Sequence, residues 1–180
     1  MTPEHGAFLL ESVYLPLFQL EHPMTQAVIG AIPAERADYR PDSISRSAID
    51  LAWHIAIAED RFMRAAATGG FKFENSTRPE GVRTPADVLA WYKEKFSECI
   101  ELLKKTPAER LVVPVDFRGM VTRPAVLFLQ MSIGHAIHHR GQLSTYLRPM
   151  GAKVPSIYGE SYDAREARER AAKAETQQKA

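Results

Sequence analysis

The amino-acid sequence predicts an all-α protein, an antiparallel four-helix bundle with irregular connectors. Three observations predict it. Apolar residues recur at three- and four-residue steps along most of the chain. Polar links punctuated by Pro and Gly separate four long periodic stretches. No set of alternating strands competes with them.

The first stretch runs from about Pro3 to Ile32. Thr2 serves as its cap, Pro3 suits the first helical position, and Glu4 favours the positive end of the helix dipole. Pro16 and Pro23 each remove a backbone donor, so a kink or split is expected around His22-Pro23. Ala34 to Ser43 reads as a loop, bounded by Pro33 and containing Pro41 and Asp42. The second helix is expected from about Ile44 to Thr68, capped by Ser43 or Ser45 and ended by Gly69-Gly70. Phe71 to Arg83 is an irregular loop of about 13 residues, a length that is uncommon in a segment without a role.

The third helix opens on Thr84-Pro85-Ala86-Asp87, a capping hydroxyl followed by a proline and an acid, and continues to about Lys105. Its stripe of Val88, Leu89, Tyr92, Phe96, Cys99, Ile100 and Leu103 is core. Leu111 to Phe117 is β-branched but isolated, and is read as a connector. The fourth helix is expected from about Thr122, as cap, to Met150, with Gly151 as its stop. The bundle occupies residues 1–162 as one domain. Residues 163–180, rich in Ala, Arg and Glu, form a polar tail that is helical or frayed.

The chain has 180 residues, enough to bury a core without disulfides, and 45% hydrophobic with 25% charged residues is ordinary for a globular domain. The net charge is +1 and the basic residues are scattered, so no nucleic-acid partner is expected. Cys99 is the only cysteine, which excludes an intramolecular disulfide and suits a reducing cytosol. The N-terminus lacks the basic region of a signal peptide, and no apolar run approaches the roughly 20 residues of a membrane span. A cytoplasmic protein without a membrane partner is expected.

The chemistry centres on His135-Ala136-Ile137-His138-His139. Residues four apart on a helix are offset by only about 40°, so His135 and His139 project together, whereas His138 lies about 100° from His139. Phe128, Met131, His135, His139, Gln142 and Tyr146 fall in one stripe, taken as the inward face, and His138 leans away from it. A third ligand is needed to hold zinc or nickel well. His54, mid-helix on a face shared with Leu51, Ala58 and Ala65, supplies it from a neighbouring helix. Three imidazoles with open positions resemble a catalytic site more than a closed structural one. Asp50, one turn before His54, has two readings: a group that orients the imidazole or completes the ligand set, and a solvated helix acid. Glu59 and Asp60 read as solvated acids. The glutamate of HExxH is missing, as are a phosphate-binding glycine loop and a GxSxG elbow. Cys99, in a core stripe, is expected to be inert.

Three segments together resemble the DinB-like superfamily, the DinB/YfiT-like metalloenzymes: Leu51-Ala52-Trp53-His54-Ile55-Ala56, Gly134-His135-Ala136-Ile137-His138-His139-Arg140-Gly141-Gln142, and Gly151-Ala152-Lys153-Val154-Pro155-Ser156-Ile157-Tyr158-Gly159. The resemblance covers roughly residues 5 to 160. It implies an antiparallel four-helix bundle, often a homodimer, with His54, His135 and His139 on one divalent metal ion, usually nickel or zinc. It also implies a transferase or isomerase using a low-molecular-weight thiol such as bacillithiol, mycothiol or glutathione. The leading expectation is therefore a thiol S-transferase in which the metal activates the thiol for attack on an electrophile. Its alternatives are a metal-dependent hydrolase, for which no clear base is in view, and a non-catalytic metal-binding stress-response protein. Tyr158 is a candidate hydrogen-bond donor over the metal, with a packed loop aromatic as its other reading. Arg140 points away from the site by helix angle, which favours a surface or dimer salt bridge over an anchor for the thiol.

Overall fold

The N-terminal helix starts as its cap residues require. In the computed structural model, which describes residues 1–74 and 77–178, the Thr2 hydroxyl accepts from the His5 N–H and Pro3 opens α1 (Pro3–Leu9). The chain then widens into a π-helical turn, Leu10–Tyr14, and resumes as α2 (Leu15–Gly30). The irregularity thus precedes Pro16 and does not fall at His22-Pro23, which lies inside a continuous α2. Pro16 has no N–H to donate and its ring crowds the preceding turn, and the wider π turn accommodates both.

The next segment contains a 3-10 turn, Ala34–Arg36. The Asp42 carboxylate accepts the N–H groups of Ile44 and Ser45 at 3.0 and 2.8 Å, and Arg40 donates to the Ser45 carbonyl. These bonds hold the chain out of the helix. α3 (Ala48–Thr68) consequently starts four residues later than expected, and its cap is Ser47 rather than Ser43 or Ser45. Gly69, at φ 86°, ends it in the left-handed conformation. Of the long loop that follows, Asn75 and Ser76 lie outside the described residues. α4 (Pro85–Lys104) opens with the full capping box of Thr84 and Asp87.

After the short α5 (Ala108–Leu111), the expected connector is instead a hairpin. β1 (Pro114–Phe117) pairs antiparallel with β2 (Val121–Pro124), Val115 opposite Arg123 and Asp116 opposite Thr122. Thr122 is a strand residue and not a helix cap; its hydroxyl donates to the Asp116 carboxylate at 3.3 Å. α6 (Leu127–Leu147) begins after the hairpin. The tail forms α7 (Tyr162–Gln178), exposed along most of its length. None of the helices described is long and apolar enough to cross a membrane.

The protein is mostly helical, with this one small sheet among the described residues. α3 packs on α4 and α6, and α2 packs on the same two helices, which closes a ring of four. Their apolar residues form two main clusters. α2 enters the one containing Tyr14 and Phe18 and leaves through the one containing Val28 and Ile29. α6 runs the same way, from Leu129 to Leu147, whereas α3 and α4 run the other way, from Leu51 to Met63 and from Val88 to Leu103. The neighbours α3 and α4 are therefore parallel, a departure from the wholly antiparallel expectation. It also explains the long loop between them, because the chain must return along the length of α3, about 30 Å for a 21-residue helix, before α4 begins.

Between the two clusters lies a layer of buried polar side chains: Glu21, His22 and Thr25 on α2, Glu59 on α3 and Arg140 on α6. Tyr92 of α4 donates to the Glu59 carboxylate at 2.9 Å, and His22 stacks on Phe96. Glu59 is 5% exposed, so it is a structural acid and not the solvated one expected.

Candidate metal centre

The packing of α3 on α6 decides where the histidines meet. His54 projects from the middle of α3, and His135 and His139, one turn apart on α6, project toward it. The Nε2 atom of His54 stands 3.0 Å from that of His135 and 3.2 Å from that of His139. One ligand nitrogen from each of the three lies within 4.8 Å of the others. The expected triad is thus brought together and half-buried.

This arrangement suits a cation. A neutral imidazole carries one N–H, so a proton on a single Nε2 satisfies one of these close contacts while the remaining nitrogens face each other lone pair to lone pair. A divalent ion at their focus satisfies all three at once. Metal–nitrogen bonds of about 2.0–2.1 Å place cis ligands roughly 3.0–3.4 Å apart, which matches the observed spacing. The residues present therefore fit a divalent metal ion.

Electrostatics keeps the ring nitrogens in their ligating form. Burial, then Arg46, His139 and Arg61, lowers His54 to about 4. Burial, then the neighbouring histidines, lowers His135 to about 3. His139 is also lowered, chiefly by burial, against the opposing effect of the hydrogen bond it donates to Gln142. The consequence for the metal-free protein has a definite sign. Between the unfolded value of 6.5 and these folded values, the unfolded chain binds more protons, so stability falls as pH drops from 6.5 toward 3. Urea midpoints measured across that range should decline with acidity, and the H54Q/H135Q double variant should show a shallower decline. Equal slopes in the two proteins would contradict the assignment.

Gln142 adds a contact that the sequence pattern did not assign. Its Oε1 accepts from Nδ1 of His139 at 3.0 Å, which fixes the tautomer and leaves the Nε2 lone pair facing the centre. Gln142→Leu is expected to weaken metal binding by about 10- to 100-fold, read by competition with a chelator, while leaving stability nearly unchanged.

The other sequence candidates are placed elsewhere. His138 is exposed and outside the cluster, its ring 4.7 Å from that of His139. Asp50 bonds the Ser47 hydroxyl at 2.6 Å and pairs with Arg40 and Arg78, which makes it a cap residue and not a partner of His54. Asp60 pairs with Arg64 at 2.7 Å. Burial pushes the Cys99 thiol up, in line with an inert core cysteine. Tyr158 does not lie over the triad by its hydroxyl, which donates to Glu21 at 2.8 Å and accepts from Arg140. Arg140 is 1% exposed and pairs with Glu21 at 2.7 Å, so the expected surface or dimer bridge is instead a buried ion pair.

The deepest face of α6 carries Leu129, Ser132, Ala136, Arg140, Leu143 and Leu147. The stripe chosen from sequence lies beside it, with Phe128 and Tyr146 buried, Met131, His135 and His139 half-buried and Gln142 exposed. The triad thus sits at the edge of the core, where solutes can reach it.

A mostly helical protein with three convergent histidines defines a class of candidate metal-binding proteins. The chain belongs to the DinB family, whose family model matches residues 9–176. It is 31% identical over 131 residues to the uncharacterized protein YjoA of Bacillus subtilis (strain 168), covering 71% of this chain and 82% of that protein. The fold is similar to the crystal structure of that DinB-like protein, with a TM-score of 0.67, 24% identity, and coverage of 82% of this chain and 99% of the other. It is equally similar to a DinB-like protein from Bacillus cereus ATCC 10987, with a TM-score of 0.66, 25% identity, and coverage of 81% and 95%.

Proposed function

We propose that this chain is a divalent-metal-dependent thiol S-transferase built on a four-helix bundle of α2, α3, α4 and α6. The observation that carries the reading is the convergence of three imidazole nitrogens at an accessible edge of the core. Bound there, nickel or zinc supplies a Lewis acid that favours the thiolate form of a thiol at an open position. His54, His135 and His139 hold the site, and Gln142 orients one of them. Among the charged side chains that act on the triad are Arg46 and, for His54, Arg61. Both are cationic, and a cationic surround stabilises an incoming thiolate.

The hydrolase reading has less support, because Asp50, Glu59 and Asp60 are all engaged away from the triad. The proposed cosubstrate is a low-molecular-weight thiol of the cytosol, where such thiols stay reduced, and a homodimer is the proposed assembly. The test loads purified protein with nickel or zinc and offers 1-chloro-2,4-dinitrobenzene with bacillithiol, mycothiol or glutathione. Conjugation forms a carbon–sulfur bond and releases chloride. Metal-dependent turnover with one thiol is expected, and its absence with all three would refute the transferase.

A further inference from the structure

A pocket adjoins the candidate metal centre. His54 and His135 also line a pocket of about 170 Å³ between α3, the β-hairpin and the loop after α3. Its walls are Phe62, Phe71, Phe73 and Phe117. Phe71 and Phe73 stack at 5.6 Å with 7° between their planes, and Phe71 meets Phe117 edge-on at 4.9 Å. A dry cavity of roughly 150 Å³ accommodates one benzene ring, so this pocket has room for a planar ring.

Two guanidinium groups border the same space, Arg61 from α3 and Arg118 from the hairpin turn. Arg118 has φ 56°, the one positive φ of a non-glycine among the described residues. That conformation is strained for a side chain such as arginine, whereas Asn or Gly adopts it readily. The turn is nevertheless well held, since the Gly119 N–H donates to Asp116 at 2.8 Å. The strained residue delivers its guanidinium 4.0 Å above the Phe73 ring, at the pocket. Arg61 donates to the Glu74 carbonyl, and Asp60 and Glu74 offset part of its charge. Burial and then Arg118 nonetheless lower its pKa, as expected of two cations bordering one pocket.

We propose that this pocket binds a planar organic anion of the aryl carboxylate class, its ring among the four phenylalanines and its carboxylate on Arg61 and Arg118. An anion there relieves the repulsion between the two cations, and both can form charge-assisted hydrogen bonds to it. The inference rests on the proposed function in one respect: it names the class of electrophile presented to the histidines.

The test measures binding, not turnover. Metal-loaded protein is titrated calorimetrically with cinnamate, with the neutral cinnamamide and with acetate. Cinnamate is expected to bind at least tenfold more tightly than either. Arg118→Asn, which suits the positive φ, and Arg61→Gln should each weaken cinnamate tenfold or more, and Phe73→Ala should weaken cinnamate and cinnamamide alike. Equal affinity for cinnamamide would overturn the proposal. So would unchanged cinnamate binding in Arg118→Asn, which would put the carboxylate on the metal. Thiol conjugation of neutral electrophiles without cinnamate binding would refute this inference and leave the transferase standing; cinnamate binding without any conjugation would do the reverse.

Discussion

Arg140→Ala is expected to lower folding stability by about 3–5 kcal/mol, the range for breaking a buried ion pair from one side. Arg140 is 1% exposed, and its guanidinium does several jobs at once. It pairs with the Glu21 carboxylate at 2.7 Å, donates to the Glu21 carbonyl at 3.2 Å and to the Thr25 hydroxyl at 3.4 Å, and donates to Tyr158. Truncation leaves a buried carboxylate whose remaining side-chain partner is the Tyr158 hydroxyl, and opens a void between α2 and α6. The E21Q/R140M double variant removes both charges and should cost less than the single change. Urea unfolding reads both. A loss below about 1 kcal/mol for Arg140→Ala, with an unchanged denaturant slope, would show that the polar layer does not hold the helices together.

His135→Ala is expected to reduce metal affinity by roughly a hundredfold or more. Structural zinc sites with four ligands bind with about 10–16 kcal/mol, or about 3 kcal/mol per ligand. Removing one of three imidazoles leaves a pair on different helices, His54 and His139, 3.2 Å apart. His138→Ala should leave affinity unchanged, because its ring stands on the exposed side of α6. Competition against a chelator of known strength measures both. Comparable losses in the two variants would mean that the ion uses a different face of α6.

The convergence of the three histidines was legible in the sequence because its key relation is local. His135 and His139 share a helix face by spacing alone, and His54 is a histidine in the middle of an otherwise apolar segment. The capping box of Thr84 was equally local. What the sequence did not reveal depends on a choice among equivalent local options or on partners far along the chain. Ser43, Ser45 and Ser47 are all acceptable caps, and the Asp42 turn selects the last of them. The hairpin was hidden because its tight turn places Arg118 where Asn or Asp usually signals such a turn. Arg140 and Glu59 read as surface charges until α2 and α4 supply their partners, 119 and 33 residues away. The parallel course of α3 and α4 likewise follows from which cluster each helix enters, a tertiary property.

The central claim is that the three histidines bind one ion. X-ray absorption spectroscopy of protein loaded with zinc or nickel tests this directly. It should show one ion per chain with three imidazole nitrogens at about 2.0–2.1 Å, a signature lost in His139→Ala and retained in His138→Ala. A loaded protein that holds no stoichiometric ion, or one whose ion lacks imidazole scattering, would contradict the account.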